Sequence, residues 1–490
     1  MKTLADIIID IIAGILDFTS NEVDGIDPNS RKNRLNASFE KKHKLFSSQH
    51  NGFSIGVGNN LSVQQSHDHV MCCAVSGAGK TSCVVIPSIV NIATASPDGA
   101  SMVIADPKRE LTIIEPFLRS RGYTVVPFDI EKPDDSIRFN LILRATTSAE
   151  LHRVIQRLVH KQGERNENDF WTQESIRTIH TFARQLKSKA PEEFQNVANI
   201  YYLIEEMMGN EQLVSNMFAS ESDQDVWRSF RALMSTSDRT KSSILASAIS
   251  NLSFIGLSPD LCDITSTDTF DFSRLKSEKI ALVLRCPLQS QDVYSSIFGI
   301  FYSQLFDYLF SSMPSPADRK IFMIIDELAN IPLPDLASIM STARSYFAIL
   351  GIIQSENQLK EKYGEYNAMT ILNNCTRVYF GGLDQECERL QNSLGSYTYY
   401  ENRRNKKNQR TRYLMTADEI RSMPRNRVLV FPNGGMRPIY LKVTPYYKVR
   451  RFQSYLTMKQ PDDNIQATTR HRTQYLPLDQ YVNISDDGQE

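Results

Sequence analysis

Three absences narrow this sequence before any motif is read. There is no charge excess: 55 Lys plus Arg stand against 56 Asp plus Glu over 490 residues. The whole chain therefore lacks the electrostatic footprint of a nucleic-acid binder, and any such contact has to be local. There is no CxxC pair and no Cys/His spacing suited to a metal. Cys72, Cys73, Cys83, Cys262, Cys286, Cys375 and Cys387 sit mostly in apolar runs, which excludes a zinc module and reads as reduced core thiols of a cytosolic protein. His67 and His69 flank Asp68 before an apolar strand, but no further ligand cluster lies near them, and they read as surface residues. Nor is there an apolar run of about 20 residues, the length that spans a bilayer.

The first turns come nearest to such a run. Leu4, Ile7, Ile8, Ile11, Ile12, Ile15 and Phe18 recur at helical period among Asp6, Asp10 and Asp17, which makes an amphipathic helix and not a span. Beyond Lys2 it has no basic lead and no cleavage-like segment, so it is no signal peptide. Its acids disfavour anionic lipid, leaving a partner protein or the chain's own core as the docking surface.

With 41% hydrophobic residues the chain can bury a large core, and its length suggests roughly two or three domains. Residues 1–50 read as this helix and a polar linker, with the ordered core starting near Gly52. Over 51–145, apolar runs at 70–75, 102–105 and 124–128 alternate with helical stretches, the pattern of an α/β fold with a mostly parallel sheet and crossover helices. From 146 to 272 the periodicity is helical throughout, as in Ile176, Ile179, Phe182, Ala183 and Leu186, and marks an all-α insertion. The α/β pattern resumes over 273–457, with apolar runs at 280–284, 321–325, 349–353 and 378–380. Residues 458–490 form a polar tail, expected to be disordered or loosely draped. Arg403, Arg404, Lys406, Lys407, Arg410 and Arg412 read as a mobile basic loop. Such a loop suits sequence-independent contact with a DNA backbone.

The strongest local signal is Ala74-Val75-Ser76-Gly77-Ala78-Gly79-Lys80-Thr81, which follows a strand and opens a helix. It matches the P-loop GxxxxGK[ST], with Ala74 at the first Gly. Small residues let successive N–H groups turn inward round a phosphate at a helix N-terminus. Ser76, Gly77, Ala78, Gly79, Lys80, Thr81 and Ser82 are the candidate nucleotide contacts, with Lys80 reaching the β- and γ-phosphates and the Thr81 hydroxyl ligating Mg2+. Pro87 falls in the following helix, where it should kink the axis. The second, acidic site that such a loop needs follows the run 321–325. Asp326 is suited to hold Mg2+ or its waters, and Glu327 to polarise the attacking water as general base. ATP and Mg2+ are the implied cofactors. Gln354 ends the next apolar run, placed to sense the γ-phosphate. Arg344, between those two strands, is either a solvated helix residue or an arginine finger given to a neighbouring subunit.

An ordered set of motifs then adds a resemblance. It comprises Ser76-Gly77-Ala78-Gly79-Lys80-Thr81 with Val85-Ile86-Pro87, Ile104-Ala105-Asp106-Pro107-Lys108-Arg109-Glu110-Leu111, Phe139-Asn140 and Asp326-Glu327-Leu328-Ala329-Asn330-Ile331-Pro332. Gln354-Ser355-Glu356-Asn357-Gln358-Leu359, Tyr363-Gly364 and Leu414-Met415-Thr416-Ala417-Asp418-Glu419-Ile420 complete it. In this order the set resembles the type IV coupling proteins of bacterial conjugation and type IV secretion, of the TraG/TraD kind, over about 70 to 450. The resemblance implies a RecA-like P-loop NTPase domain interrupted by the all-α insertion, assembled as a homo-hexamer round a DNA channel, with Arg344 as a trans-acting finger. It implies an ATP-driven pump that takes single-stranded DNA bound to a relaxase, read by the insertion, to a type IV secretion channel. Departures are Ala74 for Gly, Arg109 where Gly is common, Leu141 where Pro is usual, and the lack of the N-terminal transmembrane helices most members carry. The expectation is a cytoplasmic protein recruited peripherally to the inner face of the plasma membrane, through a membrane-protein partner of the N-terminal helix. Two other classes share the ATP site: a double-stranded DNA translocase of the segregation or packaging kind, FtsK- or HerA-like, and a nucleotide-gated cargo adaptor with little turnover.

Overall fold

The computed structural model describes residues 36–95, 99–160, 169–219, 223–333, 335–403, 406–458 and 472–481. Its strands are β1 (Val70–Cys73), β2 (Ser101–Ala105), β3 (Thr124–Asp129), β4 (Ile280–Arg285), β5 (Ile321–Ile325), β6 (Ala348–Ile353) and β7 (Thr376–Phe380). They are followed by β8 (Ser396–Arg403), β9 (Lys406–Tyr413), β10 (Arg427–Phe431) and β11 (Ile439–Lys442). One sheet runs in the order β11-β10-β7-β1-β6-β5-β2-β4-β3, and β8 pairs with β9 alone. From β7 to β3 neighbours are parallel, whereas β10 is antiparallel to both β7 and β11.

β1, β2, β4, β5 and β6 are buried at every position, as in a parallel sheet covered on both faces. Alternate residues serve opposite layers. Val70, Cys72, Met102 and Ile104 pack with the helix Ile86–Thr94, while Met71, Cys73, Val103 and Ala105 share a core with the helical segment. Because β6 lies between β1 and β5, the loop after β1 and the acids after β5 are one strand apart at the carboxyl edge, where such sheets bind ligands.

Between β3 and β4 the described residues form helices and turns only, from Ser148–Val159 and Phe170–Lys189 through Val197–Gly209, Glu211–Ala219, Gln224–Met234 and Asp238–Gly256 to Pro259–Ser266. Local chemistry places their starts. Thr147 and Glu150 form a capping box, and Asn196, Ser237 and Ser258 each accept a first-turn N–H. Fully buried Asn140 pins the junction to the sheet. Its amide donates to Gln195 O and Ser266 O at 3.0 and 2.9 Å, and its oxygen accepts from Ile142 and Leu143 N–H at 3.1 and 3.0 Å.

Several expectations are corrected. The core begins before Gly52: Leu45 and Phe46 are buried, and the N–H groups of Ala37 and Glu40 donate to Ser396 O and Pro438 O at 3.1 and 2.8 Å. The basic stretch is an antiparallel hairpin and not a mobile loop, with Tyr397 in register with Arg412 and Tyr399 with Arg410. Aromatic residues on β8 supply the cross-strand partners that the charged run itself lacks. Arg404 and the N-terminal helix over residues 4–18 lie outside the described residues. Part of the tail is neither disordered nor draped, since Leu476 and Leu478 are buried in the helical core. The cysteines are free and buried, as read from sequence. Among the described residues no group of His, Cys, Asp and Glu is arranged to hold a metal, and no single helix is long and apolar enough to cross a membrane.

His69 is no surface residue either. It is fully buried at φ +58°, its Nδ1 accepts the N–H of Ile349 at 3.1 Å, and its carbonyl accepts that of Thr376 at 3.0 Å, stitching β1 to β6 and β7. Burial pushes its imidazole down to about 3, against about 6.5 in an unfolded chain. Its contribution to stability is thus complete above about 6.5 and is lost as pH falls toward 3, by up to about 1.4 kcal/mol per pH unit. His69→Asn, which keeps an acceptor and tolerates the left-handed backbone, is expected to lose less stability than wild type between pH 7 and pH 5.5 in urea unfolding; equal losses would contradict the assignment.

Candidate nucleotide site

The phosphate loop is built on the end of β1. Ala74 is fully buried and its N–H still donates to Ile353 O at 3.0 Å, so the position where Gly is common continues the sheet and accepts a methyl. Gly77 and Gly79 differ, with φ +75° and +98°, a backbone that side-chain-bearing residues rarely adopt. Lys80, 8% exposed, then opens the helix.

That helix begins as a wide π turn over Thr81–Val85, Ile86 N–H bonding to Thr81 O, before the regular turns of Ile86–Thr94. Pro87 is the cause: it has no N–H, and its ring would crowd the Cys83 carbonyl in a regular helix. Cys83 O instead accepts the N–H of Gly56 at 2.6 Å. The expected kink therefore takes the form of a π turn directly behind the phosphate loop.

β5 delivers Asp326 and Glu327, 6% and 5% exposed. Burial pushes the Asp326 carboxyl up to about 6, against the pull of the Lys80 ammonium. Its Oδ1 is buried with no hydrogen-bond partner. A hard cation such as Mg2+ would satisfy that oxygen, and Thr81, on the first turn after the loop, would offer a second oxygen ligand. The residues present therefore fit a nucleotide with Mg2+.

Glu327 has a left-handed backbone, φ +59°, the kind of strain held where a side chain must be aimed. One carboxylate oxygen accepts from the Lys108 ammonium, the other from Asn330 Nδ2 at 3.1 Å. The bond to Glu327 raises the Lys108 pKa. Lys108 follows β2, behind Asp106, whose carboxylate accepts the N–H groups of Glu110 and Leu111 at 3.0 Å each and fixes the turn. Arg109 next to it has φ +56°, which is why Gly suits this position; here Asp129 and Glu131 hold its guanidinium at 2.8 and 2.9 Å. Sequence reading missed Lys108 as a site residue. The available signal was Asp-Pro-Lys at the carboxyl end of a buried strand.

Gln354 follows β6, between the ends of β1 and β5, with its N–H donating to Gln358 Oε1 at 2.9 Å. The Ser82 hydroxyl donates to Gly79 O at 3.1 Å, bracing the loop from behind. Arg344 is elsewhere. Its carbonyl meets His67 Nδ1 at 2.7 Å, and its guanidinium reaches Asn374 Oδ1 at 3.2 Å and Asp68 at 3.9 Å. These partners precede β1 and β7, so Arg344 stands at the amino edge of the sheet. The length of β1, about 13 Å for four residues, separates it from its own phosphate loop, more than its side chain can bridge. In the hairpin, Arg410 is exposed and Arg412 pairs with Glu419; the side chains of Arg403, Lys406 and Lys407 lie outside the described residues.

Comparison with known proteins agrees with this fold. The chain is similar in fold to the bacterial conjugative coupling protein TrwB in an unbound monoclinic form, with 17% identity, TM-score 0.60, and 83% of this chain and 93% of that one covered. TrwB in complex with ADP and Mg2+ matches at 17% identity and TM-score 0.57, over 87% of this chain and 92% of that one. VirB4 of Thermoanaerobacter pseudethanolicus matches at 12% identity and TM-score 0.50, over 82% and 98%. No curated protein sequence matches. The family described as type IV secretory system conjugative DNA transfer matches residues 25–469. A phosphate loop with a buried lysine after β1 and two acids after β5, one strand apart in a mostly parallel sheet, make this a P-loop NTPase fold, and the chain belongs to the type IV secretory system conjugative DNA transfer family.

Proposed function

We propose that this protein is an ATP-hydrolysing coupling protein that receives a relaxase–DNA complex and pumps the DNA, as a single strand, to a type IV secretion channel. The observation that carries the proposal is the opposition of two edges. Lys80, Asp326 and Glu327 stand at the carboxyl edge of the sheet and Arg344 at the amino edge, so an arginine from one subunit completes the site of the next only when copies pack edge to edge, as in a homo-hexameric ring. The capture of TrwB with ADP and Mg2+ supports the same cofactors here.

ATP·Mg2+ supplies the phosphoryl group and the charge that holds it. N–H groups from Gly77 to Thr81 would wrap the phosphates, Lys80 would neutralise the β- and γ-oxygens, and Thr81 and Asp326 would hold Mg2+. Glu327 takes the proton of the attacking water, and Gln354, beside it, reads the γ-phosphate. Exposed Arg410 on the hairpin offers a contact to the DNA backbone. A membrane-protein partner of the N-terminal residues would hold the assembly at the inner face of the plasma membrane.

Steady-state ATP hydrolysis with and without DNA tests the proposal. Stimulation by single-stranded DNA that vanishes in Lys80→Ala is the expected result. Preference for duplex DNA would favour a double-stranded translocase, and background turnover under all conditions would favour a cargo adaptor. A second prediction follows from the Lys108–Glu327 bond, which occupies the base. Lys108→Met is expected to raise hydrolysis measured without DNA severalfold; a lower rate would mean that Lys108 serves the phosphates instead.

A further inference from the structure

Residues 472–481 return to the helical segment and are held there by backbone hydrogen bonds, two buried leucines and the ring of Tyr475, which packs on Tyr202 at 5.2 Å. Asn199 lies on the first turns of the helix Val197–Gly209 and has no solvent exposure. Its Nδ2 donates to Gln474 O at 2.9 Å and its Oδ1 accepts Leu476 N–H at 2.8 Å. Asn196, also fully buried, orients this amide: its Oδ1 accepts from Asn199 N and Nδ2 at 3.0 and 3.1 Å. Asp263, 7% exposed, accepts both the N–H and the hydroxyl of Thr473 at 2.8 and 3.0 Å. Leu476 and Leu478 are 1% and 4% exposed within the helical core, while Pro477 between them is exposed. The turn Leu478–Tyr481 rests on the helix Glu211–Ala219.

This is how a receptor reads an extended peptide. An asparagine amide that brackets the carbonyl of one residue and the N–H of the residue two further on binds main chain, whatever the side chains, and alternate buried side chains add the selectivity. Pro477, whose ring fixes its φ, lowers the entropy of docking. The two asparagines also favour a filled groove: the peptide supplies the Asn199 acceptor and one of its donors with partners, a net gain of about 0.5–1.5 kcal/mol for each bond. Filling by another peptide of the same pattern restores those bonds, so exchange is cheaper than vacancy.

We propose that the helical segment carries a docking groove for an extended peptide of pattern Thr-x-x-Leu-x-Leu, which residues 472–481 occupy as a tethered stand-in until a partner protein's segment of that pattern displaces it. Intramolecular occupation raises the threshold a partner must exceed, because the tether gives the stand-in a high effective concentration.

The test uses the full chain and a fluorescein-labelled synthetic peptide with the sequence of residues 472–481, read by anisotropy. Full-length Leu476→Asp/Leu478→Asp, whose own segment is expelled, is expected to bind the peptide at least tenfold more tightly than wild type, and adding Asn199→Ala should abolish that binding. A folded double variant that does not bind the peptide would overturn the proposal, as would binding that survives Asn199→Ala. Hydrogen exchange on the wild-type chain covers the case in which the double variant fails to fold. The Leu476 amide is expected to exchange by local release, at least tenfold faster than the amides at the centre of helix Val197–Gly209. Equal protection of the two would show a fixed structural arm and sink the idea.

Discussion

Arg344→Ala is expected to lower ATP hydrolysis by about 10³-fold, the scale of an arginine finger, while leaving nucleotide affinity of the isolated chain unchanged. The reason is geometric. The guanidinium stands at the amino edge of the sheet beside Asp68 and Asn374, and the phosphate loop stands at the carboxyl edge, so Arg344 contributes nothing to its own site. Its local contacts are half-exposed and of a kind worth about 0–1 kcal/mol, so a large rate loss cannot be charged to unfolding. Mixing provides the decisive readout. Arg344→Ala retains a sound phosphate loop and Lys80→Ala retains a sound finger, so mixed rings contain some complete sites, and the mixture should turn over faster than either variant alone. A mixture no faster than the sum of its parts would show that Arg344 does not act across a subunit boundary.

Glu327→Gln is expected to reduce turnover by about 10²–10⁴-fold, the range for loss of a general base, with ATP-analogue affinity retained within a few fold. Glutamine keeps the shape, the left-handed backbone and an acceptor for Asn330, and removes the capacity to take a proton together with the charge that pairs with Lys108. Asp326, for which the cation-binding role is proposed, is untouched. Equilibrium binding of a fluorescent nucleotide measured beside the hydrolysis rate separates the two roles. A matching collapse of affinity and rate would assign Glu327 to binding instead. Unchanged turnover would move the base elsewhere.

The α/β alternation, the helical stretch between β3 and β4, the glycine turn and the acid pair were all readable from residues that are neighbours in the chain. The burial of β1 and β5 follows from unbroken apolar runs, and the positive φ of Gly77 and Gly79 from their place in the loop. Misreadings came where composition masked packing. The charged β9 pairs with an aromatic β8, so its own residues show no apolar alternation. The polar tail carries only two buried leucines, too few to register as a core segment, although Asn199, Asp263 and Tyr202 also anchor it. His69 looked like a surface residue because one polar side chain ahead of a strand gives no sign that it will be enclosed.

By itself the sequence determined the local pattern of the candidate phosphate site. Consecutive backbone N–H groups wrap a phosphate, and consecutive residues at a strand end present its acids, so both are local in the chain. The tertiary structure alone decided what meets that site and what stays away from it. Lys108 reaches Glu327 across 219 residues, and Leu476 reaches Asn199 across 277. Arg344, 17 residues after Glu327, is nevertheless placed at the opposite edge of the sheet. Strand order sets these relations, and it depends on how the two faces of the sheet are covered by parts of the chain distant in sequence, which no single stretch of residues encodes.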